Sequence, residues 1–488
     1  MSRSKPTLNS LRRLVLIAVL SALALAAGFV WWAQAGEGRA ASAINVASAR
    51  WIDGRTPGQL IRYALVRLEG HPTLSAVAVP PLQWLQSRFE RAVPVEQLPT
   101  LGKGQQTNTL PPLGELGSGA TLLVGSSAEL ASALAVAQAG QTVRIKPGRY
   151  VFTEKLKTGL AGTVVRPITV RADQPNQVYL EFNTQEGFAL SQPYWIFENL
   201  QIRGVCTDHS QCEHAFHVVG KAHHTVIRNN YIADFNAHIK VNGLNGDWPD
   251  DGLVAFNTLT NTGPRQTNLP VTPVDMVGAN HWTLANNLVR NFVKADGDKI
   301  SYGMFMKGGG RGGRIEGNLV VCTPDGVSQP GARVGISLGG GGTGKGLCRD
   351  AQCEFEYTNG LVANNIVAHC NDSGVDVNRS ANNLLAFNTL VNTSGIDVRN
   401  AGASAMVYGN LLEGRFNERG GGHIKESMNE LNSLRSVFAH ADALNFECGA
   451  ALESIPSLPT VPADFGGKQR RDGTMPGALS QCPNPISP

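Results

Sequence analysis

The chain has 488 residues and a formal net charge of +4, with 42 Lys and Arg against 38 Asp and Glu. This excess is small for the length, so it favours anionic partners only mildly and excludes none. The 55 Gly and a charged fraction of 16% suit a β protein with Gly at its corners better than a helical one. We expect a monomer with no nucleic-acid partner.

The N-terminus has the composition of an export segment. Four basic residues precede an apolar run over residues 14–32, and Ala33 and Ala35 follow at signal-peptidase spacing. Residues 1–35 are therefore predicted to be either a cleaved signal peptide or a retained anchor, and the length of the run favours the anchor, in an inner membrane. Both alternatives place the rest of the chain outside the cytoplasm, in the periplasm or the extracellular space.

Residues 36–118 are predicted to form a helical spacer and a linker. Two stretches in this segment, GQLIRYALVRLEGH and LQWLQSRFERAV, have the apolar spacing of amphipathic helices. Residues 97–118, rich in Gly, Pro, Thr and Gln, have the composition of a linker.

A repeated pattern covers most of the remaining chain: a short apolar stretch, then Asn followed by an aliphatic pair. The repeated positions are Asn199, Asn230, Asn257, Asn287, Asn318, Asn365, Asn388 and Asn410. Their spacing is typical of coils in a parallel β-helix, where stacked coils bury an apolar face that one coil alone cannot. We interpret the Asn residues as a structural ladder of amide hydrogen bonds.

A second repeat, Gly-h-x-h-x with h apolar, precedes most of these Asn residues. In a strand the h positions face the core and the x positions face outward. The first outward column is predicted to contain His217, Lys240, Asp275, Phe305, Ser337, Asp376 and Asp397. The second is predicted to contain Val219, Asn242, Val277, Lys307, Gly339, Asn378 and Arg399. Neighbours in a column would be about 4.8 Å apart, close enough to share one sugar ring.

Eight cysteines in an exported chain indicate disulfides rather than a metal site. The spacings favour pairs between Cys206 and Cys212, between Cys348 and Cys353, and between Cys448 and Cys482. Cys322 and Cys370 remain unassigned.

The segments ATLLVGSSAELASALAVAQAGQTVRIKPGRYVF and GTVVRPITVRADQPNQVYLEF resemble the opening of polysaccharide lyase family 6, the family of chondroitinase B and related alginate lyases. The ending VPADFGGKQRRDGTMPGAL resembles the tail of many extracellular β-helix carbohydrate enzymes. The resemblance covers about residues 119–480 and implies a right-handed parallel β-helix with a cap helix, here expected over Ser127 to Gln138.

The resemblance implies β-elimination on a uronate polysaccharide, with calcium neutralising the carboxylate and a Lys as base. GMFMKGGGRGGRIEGN matches the segment that carries the family's Lys and nominates Lys307. The match departs from the pattern at Gly339, where an Arg is expected, and lacks the acidic pair expected before the Lys. We therefore name no metal ligands.

Lys240 is a second catalytic candidate, two coils before Lys307 and with Asp275 between them. His217, Asn242 and Asp275 are predicted to bind an anionic sugar, as are Asn378 and Arg399. Alternatives remain open: Asp376 and Asp397 are spaced like paired acids of a glycoside hydrolase, although pairing of these acids with Arg379 and Arg399 is the commoner arrangement. The scaffold also suits an epimerase, and the surface also suits a glycan-binding protein without catalysis. Residues 245–251, NGDWPDD, fit an Asx-rich turn better than a calcium loop.

Overall fold

The computed structural model describes residues 72–89, 120–323, 331–340, 343–431, 434–448 and 452–482, together with residues 61, 64, 65 and 68. The chain divides into two compact units, Met1–Phe89 and Glu90–Pro488. The first contains the helix Pro72–Phe89. No helix in the described part of the chain is long and apolar enough to cross a membrane. The predicted export segment, residues 1–35, and the predicted linker, residues 97–118, lie outside the described residues.

The second unit is a right-handed parallel β-helix, which confirms the predicted fold class. In its described residues three long parallel sheets contain twelve, eleven and ten strands. We call them the first sheet, the second sheet and the site sheet, in the order in which each coil visits them. The strands are short and bounded by Gly and Asn, so each pairs with the strand one coil away rather than with its sequence neighbour.

The strands of the first sheet, in stacking order, are Thr121–Val124, Thr142–Ile145, Ile168–Ala172, Trp195–Glu198, Val226–Arg228, Leu253–Ala255, Thr283–Ala285, Arg314–Glu316, Leu361–Ala363, Asn383–Ala386, Ser404–Tyr408 and His423–Ser427. Those of the second sheet are Gly148–Phe152, Val178–Phe182, Gln201–Gly204, Tyr231–Ala233, Thr258–Thr260, Leu288–Arg290, Leu319–Val321, Ile366–Ala368, Thr389–Val391, Leu411–Leu412 and Glu430–Leu431.

The strands of the site sheet are Leu156–Lys157, Glu186–Leu190, His214–Val219, Ala237–Asn242, Val274–Val277, Ile300–Lys307, Ala332–Leu338, Val375–Asn378, Gly395–Arg399 and Arg415–Arg419. A smaller sheet contains Gly310–Arg311, Tyr357–Thr358 and Ser380–Ala381. Near the C-terminus are the helix Leu434–Val437 and the antiparallel pair Phe438–His440 and Asn445–Cys448.

The core is built from columns of inward-facing side chains, one from each coil. The inner column of the site sheet contains Phe188, Phe216, Ile239, Val274, Met304, Ile336, Val375 and Ile396, all buried. Burial of each side chain contributes about 1.5–3 kcal/mol. This continuous apolar column holds successive strands in register, so the outward residues of the site sheet are also in register.

The predicted Asn ladder is present at the corner between the first and second sheets, with one correction. Each ladder oxygen accepts the backbone N–H of the ladder Asn one coil earlier, at 2.8–3.0 Å from Asn230 onward. The members are Asn230, Asn257, Asn287, Asn318, Asn365, Asn388, Asn410 and Asn429.

Asn199 was wrongly placed in this ladder. The ladder position of its coil is Leu200, whose N–H donates to Asn230 Oδ1 at 3.0 Å. Asn199 lies one residue earlier, at a left-handed corner with φ of 62°, where Asn is tolerated. The sequence pattern did not include Asn429, because the residue after it is Glu and the pattern requires an aliphatic pair.

A cap helix closes the N-terminal end of the core, as predicted, and spans Ser127–Val136. The Ser126 hydroxyl caps the helix by accepting the Glu129 N–H at 3.2 Å. Leu130 and Leu134 are fully buried at the open end of the first coils. The helix therefore supplies the apolar surface that a preceding coil would have provided.

Four disulfides confirm the three predicted pairs and assign the fourth. They join Cys206 to Cys212, Cys348 to Cys353, Cys448 to Cys482, and Cys322 to Cys370. The last pair lies at equivalent places of two coils that are separated by a long insertion. Such a set of disulfides is typical of proteins that fold in an oxidising compartment.

The C-terminal segment packs along the solenoid through one buried cation, Arg470. Its guanidinium donates to Asn364 Oδ1 at 2.7 Å and to the carbonyl of Gly477 at 2.8 Å, and it lies 4.0 Å from the ring centre of Phe387. Burial lowers the pKa of Arg470 to about 10. The tail thus covers apolar surface on the outside of the last coils.

Candidate active site

The outward face of the site sheet brings together five of the seven residues nominated from the sequence. In the strand register Lys240 lies between His217 and Asp275, and Lys307 lies beside Val277 in the next strand. Asn242 is two residues after Lys240, on the same face. The two predicted columns are therefore correct in this region.

Two lysines share one buried carboxylate at the centre of this face. Lys240 Nζ lies 2.5 Å from Asp275 Oδ2, and Lys307 Nζ lies 3.5 Å from Asp275 Oδ1. The Asp275 side chain is only 6% exposed, whereas those of Lys240 and Lys307 are 20% and 23% exposed. The carboxylate faces the protein and the ammonium groups reach solvent. We call these three residues the lysine cluster.

The lysine cluster has one more positive than negative charge. Burial by itself would raise the pKa of Asp275, but the two neighbouring ammonium groups outweigh burial and lower it to about 2. Asp275 is therefore a carboxylate at any physiological pH. The surplus positive charge is directed at solvent, which makes the cluster a site for an anion.

An aromatic pair borders the lysine cluster on the side of the later coils. Lys307 Nζ lies 4.3 Å from the ring centre of Phe305, and Tyr302 stacks on Phe305 at 4.4 Å between centroids. The face of an aromatic ring favours a cation. Burial raises the pKa of the Tyr302 phenol, which stays neutral.

A histidine held by a carboxylate borders the cluster on the opposite side. His217 Nδ1 lies 2.8 Å from Glu186 Oε1, and His217 Nε2 lies 2.8 Å from Asn242 Oδ1. The other oxygen of Glu186 accepts from Lys155 at 2.7 Å. Burial would raise the pKa of Glu186, but the bonds from Lys155 and His217 lower it.

His214 lies beside His217 with 5.0 Å between ring centroids, but it is largely withdrawn from solvent. Burial, helped by the positive charges of His217 and Lys240, lowers its pKa to about 3. His214 therefore adds no charge to this face at neutral pH.

Asn378 and Arg399, two nominated binding residues, are not part of this cluster. Asn378 lies two strands beyond Lys307 and Arg399 three strands beyond it. Asn378 is buried and accepts from Asn400 at 2.5 Å. Arg399 donates two bonds of 2.8 Å to Asp376. Both residues are thus engaged in contacts between coils.

Asp376 and Asp397, the candidate acids of a hydrolase, are also engaged with arginines. Asp376 accepts from Arg399, and Asp397 from Arg419, which forms a bidentate ion pair. Burial raises the pKa of Asp376 against the opposing effect of Arg399. Arg379, expected to pair with one of these acids, donates instead to the carbonyl of Cys353. Neither carboxylate is available for proton transfer to a substrate.

A disulfide-closed loop lies next to the end of the strand that carries Lys307, where the Arg349 N–H donates to the carbonyl of Gly308 at 2.9 Å. Arg349, between Cys348 and Cys353, donates two bonds to Asp250 at 2.6 and 2.8 Å and one to the carbonyl of Gly278 at 3.0 Å. Its guanidinium carbon lies 5.8 Å from the ring centre of Trp248. The segment 245–251 is thereby anchored by Arg349, and its carboxylate at 250 is occupied.

The donor set around the lysine cluster does not suit the calcium ion that the family resemblance implies. Calcium requires six to eight oxygen ligands, several of them carboxylates. The carboxylate nearest Lys307 is Asp275, which is buried and flanked by two cations. Among the described residues the single grouping of three metal-ligand side chains is Cys348, Asp350 and Cys353, and its sulfurs form a disulfide. We derive no step through a metal.

No known family and no curated protein matches the sequence. Solved structures do match. Pectate lyase Pel9A matches with a TM-score of 0.49 and 13% identity over 76% of this chain and 91% of that chain. A mannuronic acid specific family 6 polysaccharide lyase from human gut microbiota matches with a TM-score of 0.41 and 13% identity over 60% of this chain and 64% of that chain.

A third match is the lacto-N-biosidase of glycoside hydrolase family 136 from Eubacterium ramulus, with a TM-score of 0.43 and 13% identity over 64% of this chain and 67% of that chain. At identities of 13% and TM-scores below 0.5, these matches carry no conclusion about the reaction of this chain, which must be argued from its own site.

The sequence reasoning missed two groups at the site. Glu186 begins its strand two residues before the inward-facing Phe188, so the alternation assigned it to the inner face and not to an outward column. Its signal was the acidic residue immediately before Gly187. Arg349 lies in an insertion without periodicity, and only the tertiary contacts bring it to Asp250, 99 residues earlier.

Proposed function

We propose that this protein is a lyase that cleaves a uronate-containing polysaccharide by β-elimination at the lysine cluster. The observation that carries the proposal is the sharing of one buried carboxylate by two partly exposed lysines, which leaves a net positive charge on the outward face of the site sheet. A uronate carboxylate supplies the matching negative charge.

The chemistry makes three demands on such a site. The uronate carboxylate must be neutralised so that the neighbouring C5–H becomes acidic, a base must remove that proton, and the O4 substituent must leave with its electron pair. The electrons of the C5–H bond form the C4–C5 double bond. The product therefore has an unsaturated sugar at its new non-reducing end.

Lys307 fits the role of the fixed cation. Its ammonium lies over the face of Phe305, an arrangement that favours the charged form. The distance from Lys307 to Asp275, 3.5 Å, is longer than that from Lys240 to Asp275, 2.5 Å. The Lys307 nitrogen can therefore approach a substrate carboxylate while it stays over the Phe305 ring.

Lys240 fits the role of the base. It lies in the strand next to that of His217, so that Lys240 and His217, two groups able to exchange protons, are adjacent. Lys240 is an ammonium at rest; once water has taken one of its protons, the amine can still donate one N–H to Asp275 while its lone pair faces the sugar. Asp275 thus orients the base without contacting substrate.

Ultraviolet absorbance of the unsaturated product tests the proposal directly. Full-length protein is incubated with alginate, pectate, chondroitin, dermatan and hyaluronan, each with and without Ca²⁺. We expect absorbance to rise with at least one polymer. If absorbance rises with none of the five polymers and no new reducing ends form, catalysis would be rejected, and a glycan-binding protein would remain.

Paired conservative substitutions distinguish the two lysines. Lys240→Arg keeps a positive charge but removes the base, so turnover should fall by about 10²–10⁴-fold while polymer binding persists. Lys307→Arg keeps the cation, so it should retain most turnover, whereas Lys307→Ala should not. If Lys307→Arg loses turnover and Lys240→Arg retains it, the roles of base and fixed cation would be reversed.

The location proposed for this activity is outside the cytoplasm. The four disulfides support it, since such bonds persist in oxidising compartments. Labelling of intact and permeabilised cells with an antibody would test it, together with the N-terminal sequence of the mature protein. A mature chain that starts after Ala35 would show cleavage, and an intact membrane-bound chain would show a retained anchor.

A further inference from the structure

His217, beside the lysine cluster, has hydrogen-bond partners that bear on its protonation. Asn242 Nδ2 donates to the carbonyl of Gly243 at 2.9 Å, and this bond fixes the orientation of the amide. Asn242 Oδ1 therefore faces His217 Nε2 at 2.8 Å. Since Oδ1 can only accept, Nε2 must hold a proton.

The other ring nitrogen also faces an acceptor. His217 Nδ1 lies 2.8 Å from Glu186 Oε1, and the Lys155 ammonium bonds to the other oxygen of Glu186 at 2.7 Å, which favours the carboxylate. An ionised carboxylate accepts and does not donate. Both ring nitrogens thus face acceptors, an arrangement that an imidazolium satisfies and a neutral ring does not.

The groups around His217 are consistent with this charge. Glu186 contributes a negative charge from the preceding strand, which Lys155 also contacts. The ammonium of Lys240, in the following strand, is compensated by Asp275 at 2.5 Å. His214, on the same strand, is neutral because burial lowers its pKa to about 3. The His217 side chain is 22% exposed, so it can contact a ligand on the outward face of the site sheet.

We propose that His217 is the general acid of the reaction, which protonates the O4 oxygen of the leaving sugar from Nε2. The inference rests on the proposed lyase function, and it assigns the one demand of the elimination that the lysine cluster leaves unmet. The substrate O4 would take the place of the Asn242 oxygen as the partner of Nε2.

The protons and electrons balance. Lys240 first gives one ammonium proton to water and then, as a neutral amine, takes the proton from C5. The electrons of the C5–H bond form the C4–C5 double bond, and the C4–O4 bond breaks with its pair on oxygen. The Nε2 proton passes to that oxygen, and His217 becomes a neutral imidazole with its Nδ1 proton still directed at Glu186. Lys240 is then an ammonium again, and water returns a proton to His217.

Nitrogen NMR of the histidine rings in the full-length protein tests the protonation without any substrate. His217→Gln assigns the signal, and Glu186→Gln removes the negative partner. We expect both ring nitrogens of His217 to be protonated at pH 7 and the population of this form to fall in Glu186→Gln. A neutral ring at pH 7, with Nε2 unprotonated, would overturn the inference.

Leaving-group chemistry tests the catalytic role. One oligouronate has its natural sugar at C4, and a matched one has fluoride, which leaves with little need of a proton. We expect His217→Gln to lose about 10²–10⁴-fold in kcat on the natural substrate and to regain most of the wild-type rate on the fluoride. Equal losses on both substrates would show that His217 does not act as the acid.

Lys240→Arg is the matched control, since loss of the base should slow both substrates equally. The two experiments separate the two proposals. Turnover by the wild type with a neutral His217 ring would refute the general acid alone. A protonated ring with no turnover of any uronate would refute the lyase function, and the catalytic role of His217 with it.

Discussion

The lysine cluster and the arginine pairs at Asp376 and Asp397 lie on the same sheet, and both join buried carboxylates to basic side chains. They differ in the balance of positive and negative charge. Each arginine forms a bidentate pair with one buried carboxylate, so positive and negative charges match one to one. In the lysine cluster two ammonium groups share one carboxylate. A matched bidentate pair has little capacity for a further anion, whereas the cluster has one positive charge left for a ligand.

This difference shows that a row of charged residues on a β-helix is not a binding site by itself. The arginine pairs tie successive coils together, and the lysine cluster presents a surplus charge. Substitution, acid, salt and chelation should therefore affect the lysine cluster and the arginine pairs differently.

Replacement of Asp275 and of Asp397 by Asn should give the largest difference in activity between the two regions. Asp275→Asn leaves the two ammonium groups without the charge that holds them side by side, so we expect kcat/KM for uronate elimination to fall by about 10²–10³-fold. Asp397→Asn alters an ion pair four strands away from Asp275 and should change kcat/KM by no more than about threefold. Steady-state absorbance assays measure both, and circular dichroism checks that both variants fold.

Comparable losses in the two variants would contradict the distinction, because they would show that the arginine region also contacts the reacting sugar. A small effect of Asp275→Asn alone would mean that the ammonium groups do not need their shared partner.

Acid should affect the two carboxylates in opposite directions. The pKa of Asp275 is about 2 in the folded protein, below the value of about 3.9 for an unfolded chain, so its stabilisation is complete above the unfolded value and is lost as pH falls toward 2. That loss amounts to about 2 kcal/mol in the free energy of unfolding. The pKa of Asp376 is raised, so its contribution is present at low pH and is lost as pH rises.

Thermal melts from pH 6 to pH 2 measure these contributions by comparison of variants. We expect the acid-induced fall in Tm to become shallower in Asp275→Asn and steeper in Asp376→Asn. Parallel curves for the wild type and both variants would refute the assignment of opposite shifts.

Salt should distinguish the regions by a smaller margin. Screening weakens an exposed surplus charge more than a buried, matched pair, so polyuronate binding should weaken roughly fivefold between about 0.1 M and about 1 M salt. Lys307→Gln should remove most of this dependence, and Arg399→Gln should leave it unchanged. Titration calorimetry at several salt concentrations gives the slopes, and an equal change in both variants would argue against a localised anion site.

Removal of divalent metal should have no effect. Since the proposed mechanism neutralises the substrate carboxylate with lysine side chains and not with calcium, we expect activity after exhaustive chelation to stay within about 20% of the untreated value. Loss of activity that calcium restores would show that a metal binds through groups that the cluster geometry does not reveal.

The sequence predicted the solenoid because its physical cause is local and repeated. Alternation of apolar residues fixes which side chains face the core, and one coil predicts the next, so the columns that contain Lys240, Asp275 and Lys307 could be read from spacing alone. The Asn ladder followed for the same reason. The error at Asn199 arose where the Asn occurs one residue early, at a corner that also accepts Asn.

The sequence placed outward residues on one face but could not determine how their charges are shared. A strand register says that Asp275 is adjacent to both lysines, whereas side-chain packing decides that its carboxylate is buried and that both ammonium groups turn toward it. The same holds for Asp376: the sequence favoured an ion pair with Arg379 or Arg399 over a catalytic acid, and only the structure shows that Arg399 is the partner.

Sequence by itself thus determined the fold, the outward columns and three of the disulfides, because each depends on short-range periodicity or spacing. Tertiary structure alone decided the bond between Glu186 and His217, the orientation of Asn242 and the reach of Arg349 to Asp250. These contacts join segments that no repeat relates, and hydrogen-bond geometry and burial appear only when the coils are stacked.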